Sequence, residues 1–177
     1  MKTRKLNGFR VLGLAAVLAL VLSACTINLG NSGESSNSPE AASNELLQEA
    51  SGASEKQNYL NQLQGLSQRE TDILSKYDSV SGENYTDDET LYYTLMELIP
   101  DVQQFIGDLE AITPTDPLLA EIQKTLVDGW NLQSKGFTLA AAALADQDLS
   151  KIAEANEALA QGRALLRTGS QKVSSLN

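Results

Sequence analysis

Histidine is absent from this chain of 177 residues, and cysteine, tryptophan and methionine are scarce, at one, one and two. Without an imidazole there is no histidine general base for a serine or cysteine nucleophile, and no histidine-bearing zinc or haem site. A single cysteine, Cys25, excludes an intramolecular disulfide, so the fold stands on packing alone. Only Met96 lies beyond the start of the chain, which excludes a methionine-based copper site. The glycines are scattered singly, and none opens a phosphate-binding loop. Positive charge is short as well: 13 basic residues face 23 acidic ones, a net −10. Such a surface repels nucleic-acid phosphates and gains nothing from anionic lipid headgroups. No cofactor, no metal and no nucleic-acid partner is expected.

What is present begins with an address. Lys2, Arg4, Lys5 and Arg10 form a basic segment, residues 11–22 are uncharged and mostly aliphatic, and Ser23 and Ala24 lead to Cys25. The apolar run is about half of the roughly 20 residues that a membrane-spanning helix needs, so it reads as a signal peptide. Leu22-Ser23-Ala24-Cys25 resembles, position by position, the lipobox of bacterial lipoproteins: an aliphatic residue, two small residues and cysteine. The resemblance covers the first 25 residues and implies that Cys25 receives a diacylglyceryl group after cleavage before it. Two or three acyl chains on one residue anchor a protein stably, where one alone gives marginal residence. Four basic and no acidic residues precede Cys25, so the mature chain keeps 9 basic against 23 acidic residues, a net −14.

Three regions follow from this reading: a signal peptide over 1–24, a lipidated cysteine and flexible tether over 25–53, and a folded domain over 54–177. Gly30-Asn31-Ser32-Gly33-Glu34-Ser35-Ser36-Asn37-Ser38-Pro39 offers no apolar residue to bury. A disordered stretch of about 20 residues holds a domain roughly 25 Å from its lipid. Residues 40–50, with Leu46 and Leu47 as their only strong anchors, suit either a short helical turn or more tether.

From Ser54 the pattern is helical throughout. Ser54-Glu55-Lys56-Gln57 resembles a capping box, and Tyr59 or Leu60, Leu63, Leu66, Ile73, Tyr77 and Val80 recur at three- and four-residue steps, predicting a helix over about 55–80. Thr86-Asp87-Asp88-Glu89 starts a second helix on Leu91, Leu95, Leu98, Val102, Phe105, Leu109 and Ile112. Pro100 lies inside that stripe, but the apolar phase is the same on both sides, which predicts one kinked, continuous helix. Asp116 as N-cap and Pro117 at the first position start a third helix, carried by Leu119, Ile122, Leu126, Trp130, Gln133, Phe137, Ala140 and Leu144 to about residue 145. After Asp146-Gln147-Asp148 a fourth runs to the C-terminus on Leu149, Ile152, Ala155, Leu159, Gly162, Leu166, Gly169, Val173 and Leu176. Short connections between helices about 40 Å long predict an all-α, antiparallel up-down-up-down four-helix bundle. Gly129 and Gly136 on the third helix, and Gly162 and Gly169 on the fourth, allow close backbone approach, with a glycine-lined ligand cleft as the other reading.

Candidate chemistry rests on carboxylates and tyrosines. Glu83, Asp87, Asp88 and Glu89 gather near one connection and Asp146 and Asp148 at another, at the same end of such a bundle, but their spacing departs from the EF-hand loop and capping explains them. Tyr85, Tyr92 and Tyr93 suit stacking on a sugar or peptide, or covering a core end. Glu70 is the sharpest candidate, because the alternation Leu63, Leu66, Glu70, Ile73 sets a carboxylate at a core position. Either the helix rotates so that Glu70 reaches solvent, or the acid needs a partner, for which Arg163 and Arg167 on the closing helix are the nearest candidates by topology. The expected function is that of a lipid-anchored, extracytoplasmic lipoprotein in the cell membrane or outer membrane, held there by the Cys25 lipid. It serves as a non-enzymatic module that binds an envelope protein or a small ligand. The alternative is an envelope hydrolase working through a carboxylate pair.

Overall fold

The computed structural model describes residues 39–176; the expected signal peptide, the lipobox-like Leu22-Ser23-Ala24-Cys25 and the part of the expected tether before Pro39 lie outside them. Four helices form: α1 (Pro39–Asp78), α2 (Asp88–Glu110), α3 (Pro117–Asp146) and α4 (Leu149–Ser174), with one 3-10 turn at Gly82–Asn84. Among the described residues there is no strand. Specific contacts set the directions. Arg69 pairs with Asp108 and Lys76 with Glu97, so ascending positions on α1 meet descending positions on α2. Gln123 bonds the Leu109 carbonyl while Trp130 lies 4.7 Å from Phe105, reversing α3 against α2. Lys172 with Glu121 and Lys135 with Glu154 reverse α4 against α3.

The helix starts are made by the residues that cap them. Asp87, one residue beyond the expected Thr86, accepts the Thr90 amide at 2.8 Å and begins α2. Asp116 accepts the Leu118 and Leu119 amides, with Pro117 next to it, and Asp148 accepts the Ser150 amide. Such caps each contribute about 1 kcal/mol. The tight α3–α4 turn is closed by Gln147 in the left-handed region, φ 56°. α2 passes through Pro100 as one helix, because Leu98 before it and Val102 and Phe105 after it are all buried on the same side.

The largest correction is at the first helix. α1 begins at Pro39 and runs without a break to Asp78, so residues 40–50, left open between a short helical turn and tether, are helical, and residues 51–53, placed in the tether, continue the same helix. Their Glu, Ala, Leu and Gln residues are strong helix formers, and Gly52 within the run costs only about 1 kcal/mol. Ser54-Glu55-Lys56-Gln57 is therefore mid-helix and caps nothing at its own start. Glu55 instead caps α3 from outside: its carboxylate accepts the Asp116 amide at 3.0 Å and the Thr115 hydroxyl at 2.9 Å. Those bonds, the Asp116 amide foremost, hold its carboxyl below the ordinary range.

The core is made by the expected stripes. Trp130, Tyr59, Phe137, Leu91, Leu95, Leu98, Ile122 and Leu159 are fully buried, and Tyr77 packs on Phe137 at 4.8 Å between ring centres. The α3–α4 contact is the closest in the bundle and depends on glycine. A Cβ on Gly162 falls 2.8 Å from the Gly129 carbonyl, one on Gly136 falls 2.5 Å from Leu159 Cγ, and one on Gly169 falls 2.5 Å from Leu126 Cδ2. Gly162 thus packs against Gly129, while Gly136 and Gly169 each receive a leucine of the facing helix, which fills the space a glycine-lined ligand cleft would need.

Candidate functional site

Glu70 is half-buried on α1, one turn from Leu66 and Ile73, and it lines a cavity bounded by all four helices. Leu63, Leu66, Phe105, Leu109, Leu126, Trp130 and Val173 supply the apolar wall, and Ser170 is the other polar residue. At about 30 Å³ the cavity has room for a water molecule and little more. Neither an ion pair nor a hydrogen bond of Glu70 occurs among the described residues. Burial accordingly pushes its carboxyl above the ordinary value.

The structure does not bring Arg163 and Arg167 to Glu70. Arg163 stands beside Tyr77 and Asp78, and its positive charge acts on both; Arg167 is exposed. Register is the reason. Ser170 faces Glu70 across the cavity, and Arg163 lies two helical turns away along α4, about 10 Å by the 1.5 Å rise per residue. The polar core trio expected from topology is therefore a lone carboxyl in an apolar wall.

This geometry makes Glu70 a destabilising residue at neutral pH. A carboxyl whose folded pKa lies above its unfolded value of 4.5 favours the folded state fully below that value. The advantage is lost as pH rises through the raised folded value. Glu70→Gln is therefore expected to raise the thermal midpoint at about pH 7.5 and to converge on the wild type near about pH 4. Glu70→Leu adds burial of about 1–2 kcal/mol. Thermal melts across that range check it, and a Glu70→Gln protein less stable than wild type at neutral pH overturns it.

Four of the six other candidate carboxylates have structural partners: Asp87 and Asp148 cap α2 and α4, Asp88 accepts the Tyr85 hydroxyl at 2.6 Å, and Asp146 pairs with Lys151, while Glu83 and Glu89 are exposed. Among the described residues no three acidic or sulfur side chains converge as a metal site would require. Tyr85 and Tyr92 rest against the core, whereas Tyr93 points outward at 59% exposure.

Sequence reasoning missed the buried amides. The Tyr59 hydroxyl donates to Gln123, which donates to the Leu109 carbonyl, and Gln133 donates to the Leu159 carbonyl at 3.0 Å. The interruption of the third stripe by Gln133 was their only trace in the sequence. The buried Tyr77 hydroxyl makes no well-formed hydrogen bond, and burial pushes it up to about 12 against the opposing influence of the Arg163 charge and the Ser81 side chain nearby. Also missed was an outward row on α2, where Tyr93, Met96 and Pro100 recur at helical spacing off the core stripe. No protein-family model, curated protein or solved structure matches this chain.

Proposed function

We propose that the protein is a lipid-anchored lipoprotein of the bacterial cell envelope whose helical bundle is an extracytoplasmic interaction module. The observation that carries this reading is Leu22-Ser23-Ala24-Cys25 after a basic and then an apolar segment. Such a protein needs no spanning helix, and none of the described helices is long and apolar enough to cross a membrane. A binding role is favoured over the carboxylate-pair hydrolase by the surroundings of Glu70. A carboxylate pair needs two acids in one pocket with their pKa values driven apart, and the lining of this cavity contains no second carboxylate. The cavity beside Glu70 holds little more than a water molecule, which leaves the grooves and outer faces of the helices as the surface on which a partner acts.

Cross-linking of intact cells through surface lysines tests this. Lys56, Lys124, Lys135, Lys151 and Lys172 sample every helix except α2, which has no lysine. Repeated adducts to one or a few envelope proteins are expected. Links confined to the chain itself, or scattered over abundant proteins without preference, contradict the reading.

A further inference from the structure

We infer that the outer face of α2 is a docking surface for a basic amphipathic helical segment of another envelope protein. The inference rests on reading the protein as an interaction module and names the surface and the partner chemistry. Tyr93 is 59% and Met96 50% exposed, two of the three large hydrophobic side chains left open to solvent among the described residues. Pro100 and Gly107 are exposed in the same row. At 100° per residue, these four positions fall within about 60° of one another and span about 21 Å along the helix.

Two features suit this row to a second helix. A Cβ on Gly107 would meet nothing within 4 Å, so the surface there is open to a close approach. Pro100 has no amide hydrogen, which leaves the Met96 carbonyl without its helical donor in the middle of the row. A partner that brings a donor side chain satisfies that carbonyl.

Charge selects the occupant. α2 contains six acidic residues and no basic one. Arg69 and Lys76 of α1 neutralise Asp108 and Glu97. Asp101 on the α1 flank shares a groove with Arg69, Asp72 and Lys76, so that side carries mixed charge, whereas Glu110 on the opposite flank and Glu89 at the N-terminal end have no ion pair among the described residues and are exposed. An apolar row with acidic side chains on one flank and at one end matches a helix with an apolar centre and Lys or Arg along one edge. A second copy of this chain brings the same acidic rim and is repelled, as is an anionic lipid surface.

The test places a photo-reactive benzoylphenylalanine at Met96 of the full chain in intact cells, with one at the exposed Ala164 of α4 as reference. Mass spectrometry of the adduct then reads the partner segment. The expected result is a peptide in which Lys or Arg flanks apolar residues, in higher yield at Met96 than at Ala164. Reversing the rim with Glu110→Lys should lower that yield about tenfold, and Glu110→Gln less, with the circular-dichroism melt of neither variant lowered. An acidic or uncharged peptide, a lipid, a second copy of the chain, or indifference to Glu110→Lys overturns the proposal. A protein adduct at Ala164 with none at Met96 also overturns it while leaving the interaction reading intact. Blank results at both positions, together with blank lysine cross-linking, remove both.

Discussion

Gly162→Leu is expected to lower the thermal midpoint by about 10 °C or more, whereas Gly65→Ala raises it slightly. At Gly162 a Cβ alone would stand 2.8 Å from the Gly129 carbonyl oxygen and 2.7 Å from Gln133 Nε2. The first of these is backbone and cannot swing away, so α3 and α4 must separate. Separation loosens Gly136 against Leu159 and Gly169 against Leu126 in the same seam. It also strains the Gln133 bond to the Leu159 carbonyl, which leaves two buried polar groups short of partners. Overpacking one site costs about 1–3 kcal/mol, and a side chain the size of leucine lies at or above the top of that range. For a domain of this size each kcal/mol corresponds to a shift of roughly 2–8 °C. Gly65 has no atom within 4 Å of its Cβ position, so alanine there gains about 0.5–1 kcal/mol from reduced chain entropy. Thermal melts of the two variants side by side check the contrast. A Gly162→Leu protein that melts with the wild type contradicts the packing described for α3 and α4.

Which parts of this architecture the sequence made legible depends on how local their causes are. Asp116-Pro117 and Asp148 start α3 and α4 because a cap acts within three residues of itself. The unbroken α2 was legible because the phase from Leu98 to Val102 survives Pro100. The heptad spacing of Gly129 and Gly136, and of Gly162 and Gly169, likewise pointed to a close seam. Residues 40–50 stayed open between helix and tether, since they have helix propensity but almost no apolar stripe, and the two signals disagree. Ser54-Glu55-Lys56-Gln57 misled for a different reason. The Glu55 carboxylate does serve a helix start, but that start is at Asp116, 61 residues later, and no local pattern encodes that distance. Glu70 shows the same limit: its place on the core side of α1 follows from spacing, whereas its neighbour on α4 depends on a register that topology leaves free. Ser170 rather than Arg163 faces it, so the candidate polar site became an unpaired acid.

Cys25→Ser is expected to change the protein's location completely rather than by degrees. The reasoning is chemical: on the proposed reading the lipid is attached through the cysteine sulfur, and a serine hydroxyl offers no thiolate for that transfer. The chain from residue 25 on has a net charge of −14 and no other cysteine, so on that reading no second site replaces the anchor and no anionic headgroup holds the domain by charge. Stable membrane residence would then depend on acyl chains at one residue. The measurement that tests this most directly is the intact mass and membrane fractionation of the wild type and Cys25→Ser, expressed in the same cells. The account requires a wild-type protein that begins at Cys25, exceeds the mass of its polypeptide by that of a diacylglyceryl group, and sediments with membranes. It requires that Cys25→Ser lack the added mass and appear either as uncleaved precursor or as soluble exported protein. A wild type without added mass, or a Cys25→Ser protein that fractionates with membranes at normal mature mass, contradicts it.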